Sequence, residues 1–199
     1  SSCLDYYNYP GSTTHSIRSE PVYRDVGSWM HVLVAINTTS DTASDRLKMY
    51  VNGSRITDFR SSTYPNINDA SSFVNATNAH YIGRSLEGSY RYLEGEMFDV
   101  FLVDGQALEP DVFGFYKDGD GYQSSGSTNA TDFRPGQWSP HSPRKIKSDI
   151  ERRGGFGVNG FYLPMNDSSN PGADFHCTPN SVIKLKGEDL PQPRNGAPT

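Results

Sequence analysis

The chain has 199 residues, with 18 Lys/Arg against 23 Asp/Glu for a formal charge of −5, and its 34% hydrophobic fraction is rich in aromatics (12 Tyr, 10 Phe, 2 Trp). The acidic balance excludes a general binder of nucleic-acid phosphates, and the sequence contains no run of about 18 apolar residues that would cross a bilayer as a helix. Aromatic and β-branched side chains suit a pleated, half-buried surface and 19 Gly with 13 Pro interrupt long helices, so an all-β chain with a core of useful size is expected.

In chain order, the first strong signal is "WMHVLVAI" (29–36), apolar or amphipathic on both faces, which predicts a strand buried on two sides. "NTTSDTASD" follows as a polar loop, and "RLKMYVNG" (46–53) alternates again, with Leu47, Met49 and Val51 on one face. Asn52-Gly53 then supplies two residues tolerant of positive φ, a hairpin turn leading into "SRITDF". The Trp, Val, Leu and Met of this stretch are expected in the core. "AHYIGRS" (79–85) and "YLEGEMFDVFLVDG" (92–105) read as further strands, and "QALEPDVFGFYKDG" (106–119) holds the one expected helical turn, its Pro110 being at ease in a first turn. Short strands joined by polar loops predict an antiparallel sandwich.

After Tyr122 the composition shifts to Ser, Pro, Gly and Arg, which divides the chain into a β-sandwich (1–122), an extended linker or arm (123–157), and a strand with an extended C-terminal segment (158–199). "FGVNGFYLPMND" (156–167) carries that last strand. Cys3 and Cys177 lie 174 positions apart, the wrong spacing for a zinc site, and are expected as two unpaired thiols rather than a long-range disulfide.

Several motifs invite a chemical reading. "GFGVNG" (155–160) matches G-x-G-x-x-G, but a charged run precedes it and no helix pattern follows, so a glycine loop is expected. "KDGDGY" (117–122) lacks the later ligands of a calcium loop and reads as a polar turn. Glu94, Glu96 and Asp99 form an E-x-E-x-x-D pattern, the first two on one face of the expected strand; carboxylate pairs on a sandwich face are what glycoside hydrolysis requires. The same acids also fit a solvated face over a core of Met97, Val100 and Leu102, which is the reading adopted. His31 has no Cys or acidic companion at ligand spacing and is expected to be packed, and the basic run "PRKIKSDIERR" (143–153) reads as a solvated arm. Five N-x-S/T matches, at Asn37, Asn52, Asn75, Asn129 and Asn166, follow from composition.

The order W-x-H-V (Trp29, His31, Val32), then Tyr50, Val51, Asn52 and Gly53, then His80 to Arg84 with Ile82 and Gly83, then Phe101 to Leu108 with Gly105 and Ala107, resembles the laminin G-like, concanavalin A-like jelly-roll module. The versions in virion proteins of marine tailed bacteriophages are the nearest in pattern, with "VNGFYLPMND" (158–167) as their recurrent downstream strand. The resemblance implies a jelly-roll sandwich, incomplete at its N-terminus because few residues precede Trp29: either the chain is a fragment of a longer polypeptide, the reading preferred, or another segment completes the sandwich. It implies a non-enzymatic structural component of the phage particle, a fibre, appendage or capsid-surface protein. The expected partners are other virion proteins or copies of the chain in an oligomeric assembly, with neither nucleic acid nor membrane. Alternatives are an extracellular carbohydrate-binding module, using loop tyrosines such as Tyr64, Tyr90 and Tyr92 on host-surface glycans, and a jelly-roll glycoside hydrolase. No cofactor is expected, with Ca2+ the one metal kept open.

Overall fold

The computed structural model describes residues 3–8, 14–25, 27–70, 80–83, 92–118, 121–123 and 137–176. In chain order these hold β1 (Asp5–Asn8), β2 (His15–Ser19), β3 (Val32–Ile36), the single turn α1 (Ala43–Arg46), β4 (Leu47–Val51), β5 (Ser54–Arg55), β6 (Phe59–Thr63) and β7 (Val100–Leu102). A 3₁₀ turn (Pro110–Val112) follows, then β8 (Gly114–Asp118), β9 (Gly121–Gln123), β10 (Gln137–Pro140), α2 (Pro143–Arg152) and β11 (Phe161–Leu163).

Every strand pair is antiparallel. The described strands make four small sheets, in the orders β1-β2-β6, β3-β4-β5, β10-β8-β9 and β11-β7. The all-β expectation therefore holds at the level of antiparallel strands with few helices. Among the described residues the sheets stay small and do not close into a jelly roll.

The central layer is β3-β4-β5, and its sequence explains why. β3 alternates in a chain whose two faces are both apolar: Val34 and Ile36 pack with Leu47 and Met49 of β4 against Ile17, Tyr6 and Phe59 of the β1-β2-β6 sheet. Leu33, on the opposite face, packs against a second cluster built from Leu108, Val112, Phe113, Ile146, Ile150, Phe156 and Tyr162. The two-sided strand predicted from "WMHVLVAI" (29–36) is thus realised over residues 33–36, with the strand beginning only at Val32. The β4-β5 connection is the Asn52-Gly53 turn, with φ of 47° and 78°, so this hairpin forms as its two turn residues require.

The loop between β3 and β4 folds on its own polar groups. Asn37 Oδ1 accepts the Thr39 amide and hydroxyl, and the Arg46 guanidinium donates to the carbonyls of Ser40, Asp41 and Pro65. Upstream of Trp29 the chain contributes β1 and β2, two strands that the alternation of "DYYN" and "HSIRS" did not announce.

Four expectations need correcting. The strand expected over residues 92–105 is realised only at Val100–Leu102, and residues 80–83 of "AHYIGRS" form no strand. The 106–119 segment keeps its proline-led turn at Pro110, but then runs into β8. Above all, the arm expected over 123–157 contains α2. Ser142 caps that helix by accepting the Lys145 amide, Pro143 opens it, and Gly154 and Gly155 follow it with φ of 134° and 85°. Ile146 and Ile150 stand one turn apart and are buried, so two apolar residues dock the helix, while the buried Asp149 beside them pairs with Lys145 and Arg152. The second cluster thus draws residues from each of the three segments that composition separates. No helix among the described residues is long and apolar enough to cross a membrane.

The docking of α2 is open to a direct check. Ile150 is fully buried, and Ile150→Ala should cost about 2–5 kcal/mol in urea-induced unfolding. An exposed-face control, Arg144→Ala, should stay within about 0.5 kcal/mol of the parent; equal losses would mean that the helix does not dock.

Candidate functional site

Three of the residues that carry the sequence pattern, His31, Asn52 and Gly53, meet at one place, the Asn52-Gly53 turn. The His31 amide donates to Asn52 Oδ1 at 2.9 Å, and the Asn52 amide returns a bond to the His31 carbonyl at 2.9 Å. The His31 ring lies against Trp138 of β10, centroids 5.6 Å apart and 21° from parallel, and 5.8 Å from Phe113. Burial pushes the His31 pKa down, so the neutral imidazole is the packed form.

Trp138 fits there because both backbones beneath it lack side chains. A Cβ on Gly53 would come within 2.2 Å of the indole, and one on Gly114 within 2.5 Å. The Tyr116 ring meets the indole edge-on at 5.2 Å, and its hydroxyl donates to the Asn52 carbonyl at 2.6 Å, with Ser54 Oγ 2.7 Å away. Asn52, Gly53 and His31 are therefore parts of an aromatic clamp that locks the first hairpin to β8 and β10. Nothing in this cluster presents a nucleophile or a metal-ligand set.

The remaining pattern residues are distributed as follows. Tyr50 is buried and donates its hydroxyl to Glu109 Oε2 at 2.6 Å, while Lys48 donates to Oε1 of the same carboxylate. Burial opposes the Glu109 charge, but the Lys48 and Tyr50 hydrogen bonds outweigh it and hold the carboxyl below its ordinary pKa; burial and the same bond push the Tyr50 phenol up. Val51 packs on the first cluster and Leu108 in the second, with Ala107 partly buried beside it. Gly105 takes a φ of 87° in the turn after Asp104. Gly83 accepts the Leu93 amide at 2.7 Å, Ile82 is exposed, and Arg84 lies outside the described residues.

Trp29 and Val32 depart from expectation. The indole of Trp29 is 61% exposed, and Met30 and Val32 are 39% and 42% exposed. Trp29 makes an edge contact with Phe98, centroids 4.6 Å apart, rather than entering the core. The strand begins only at Val32, so the alternation read from Trp29 onward does not carry these side chains inward.

The acidic pattern is also resolved into separate roles. Glu94 and Glu96 are exposed and lie outside any strand, so the shared strand face on which a hydrolytic pair rested is not formed. Met97, assigned to the core beneath them, is 39% exposed. Asp99, at a φ of 53°, accepts the Tyr162 hydroxyl at 2.6 Å, and the Tyr162 ring stacks on Phe101 at 4.4 Å. Asp99 thus ties β11 to the start of β7.

"GFGVNG" is a loop, as expected, with a helix before it and a strand after, the reverse of a dinucleotide site. Its glycines answer to packing: a Cβ on Gly157 would stand 2.3 Å from the Asp104 carbonyl, and Asp104 Oδ2 accepts the Asn159 amide at 3.3 Å. Of the tyrosines proposed for sugar contact, Tyr64 packs against the first cluster, Tyr92 is 61% exposed, and Tyr90 lies outside the described residues. Cys177 lies outside them as well. Compared with known protein families, with curated proteins and with solved structures, the chain gives no match.

Two measurements probe the clamp and its supporting charges. Gly53→Ala forces a side chain into the Trp138 ring at positive φ and should cost roughly 2–4 kcal/mol in thermal or urea unfolding, more than Gly95→Ala, where space is open. The pH arm follows from the carboxyls. Hydrogen bonding by Lys145, reinforced by Arg152, holds Asp149 below its ordinary pKa despite burial, and Glu109 is lowered as above. Both therefore contribute stability above their unfolded pKa, which is lost as pH falls through the folded value. The unfolding midpoint should fall as pH drops below about 5, with a shallower fall in Asp149→Asn.

Proposed function

We propose that this chain is a non-catalytic structural component of a tailed-phage particle, a fibre, appendage or capsid-surface protein. In this reading its small antiparallel sheets belong to a jelly-roll module of the concanavalin A-like, laminin G-like type. The observation that carries the proposal is the Trp29–Phe98 ring contact left in solvent, with further large apolar side chains exposed in the two segments that supply it. Trp29 is 61% exposed, Leu93 50%, Phe98 46%, Val32 42%, and Met30 and Met97 39%. Single exposed apolar residues need no explanation, but two exposed aromatic rings in contact, each with an exposed methionine next to it in sequence, are what subunit interfaces use.

The way the acids and the histidine are used supports the same reading. His31 is packed in the clamp, Asp99 accepts from Tyr162, and Glu109 accepts from Lys48 and Tyr50. Each of these groups joins separate elements of the fold and thereby serves a rigid body that presents a surface. The exposed rings of Trp29 and Tyr92 also favour a carbohydrate-binding reading, since an open aromatic face stacks on a sugar ring. The two readings are compatible in a host-contacting fibre.

Mass spectrometry of purified intact particles tests the first reading: peptides of this sequence should be present in many copies per particle, and their absence would overturn it. Trp29→Ser should leave the unfolding midpoint within about 0.5 kcal/mol of the parent, because the side chain is exposed, while lowering the oligomeric mass seen by light scattering. Binding of Trp29→Ser and the parent to a glycan array separates the second reading, which requires signal in the parent and its loss in the variant.

A further inference from the structure

The glycine loop after α2 holds one of three Asn-Gly pairs in the chain, Asn159-Gly160; the others are Asn52-Gly53 in the clamp and Asn195-Gly196, which lies outside the described residues. In such a pair the main-chain nitrogen of the glycine can attack the asparagine carboxamide, because a glycine has no Cβ to block the approach and little conformational restriction. Whether it does depends on how firmly the surrounding structure holds the two residues.

The two described pairs differ in this respect. At Asn52 the side-chain oxygen accepts the His31 amide, the main-chain amide donates to the His31 carbonyl, and the main-chain carbonyl accepts the Tyr116 hydroxyl. The Trp138 indole covers Gly53, so its peptide has no room to swing toward the carboxamide. Asn159 is exposed, in irregular chain between α2 and β11, and the β7-β11 pairing begins only at Phe161. Its side-chain and main-chain nitrogens donate to a single oxygen, Asp104 Oδ2, at 3.2 and 3.3 Å. Packing also demands the glycine that follows, since a Cβ on Gly160 would stand 2.0 Å from the Phe156 carbonyl.

We propose that Asn159 is a site of spontaneous deamidation whose product releases the glycine loop from Asp104. The Gly160 main-chain nitrogen bonds to Asn159 Cγ, the Cγ–Nδ2 bond breaks, and Nδ2 leaves as ammonia, taking up through solvent the proton that the Gly160 amide gives up. Water then opens the cyclic imide at either carbonyl, leaving aspartate or isoaspartate, and is the only co-reactant. The new carboxylate stands where Nδ2 donated to Asp104, so an attraction becomes a repulsion between like charges. Isoaspartate also lengthens the main chain by a methylene. That insertion falls between two fixed points, the Asp104 amide bonded to the Phe156 carbonyl at 2.8 Å and the Phe161–Leu102 pair that starts β11.

The full chain is incubated in mildly alkaline buffer, folded and in denaturing urea, then digested and mapped by mass spectrometry, with isoaspartate marked by isoaspartyl methyltransferase. Asn159 of the folded chain should convert within about threefold of its rate in urea, while Asn52 should be slowed about tenfold or more, because only local opening frees it. Asn159→Gln, whose extra methylene disfavours ring closure, should stay unconverted. Asn159→Asp carries the product's charge without the rearrangement and should lower the thermal midpoint, and adding Asp104→Asn should recover part of the loss. An Asn159 that stays intact, or is slowed as much as Asn52, overturns the site. A midpoint unchanged by Asn159→Asp overturns the release of the loop.

Discussion

The fold depends on the indole of Trp138 lying flat on two glycine backbones. Gly53 closes the hairpin of the central sheet and Gly114 opens β8, so one ring joins the N-terminal strands to the C-terminal half. The surrounding groups support that contact from every side. His31 stacks on the ring, Tyr116 meets its edge, and Asn52 is bonded both to His31 and to Tyr116. The Trp138 Nε1 and His31 Nδ1 atoms are buried without hydrogen-bond partners, a cost of about 1–3 kcal/mol each that close packing of large rings offsets.

Around this clamp, the carboxylates act as cross-links between elements. Glu109 joins the 3₁₀ turn to β4, Asp99 joins β7 to β11, Asp104 holds the glycine loop, and Asp149 collects Lys145 and Arg152 along α2. Most of these bonds span tens of residues in sequence, and each replaces water around a partly buried charge with a fixed donor. A molecule with few aliphatic residues gains its rigidity in this way, since its apolar cores alone are small.

That rigidity bears on function through what it leaves outside. Trp29 and Phe98 stay in solvent while their rings meet edge-on, so this exposed pair has a defined arrangement. A fixed aromatic surface needs less ordering to engage a neighbouring subunit or a sugar ring, which lowers the entropic cost of association.

The sequence alone determined the local features whose chemistry is complete within a few residues. The two-sided strand "VLVAI", the Asn52-Gly53 turn, the proline-led turn at Pro110, the glycine loop and the strand at Phe161–Leu163 all stand where their residues put them. Helix α2 was missed: Ser142-Pro143 and Ile146 and Ile150 one turn apart are its signals, but its charge density hid a two-residue apolar stripe and the segment read as an arm. Only the tertiary structure decided the rest. No local rule says that a tryptophan in a Ser/Pro-rich stretch will cover Gly53, that Trp29 will stay outside, that Asp99 will meet Tyr162, or that Asp69 will reach His15. Those outcomes depend on which backbones leave room and which donors arrive from distant segments, and burial and hydrogen-bond geometry fix them only once the chain has closed.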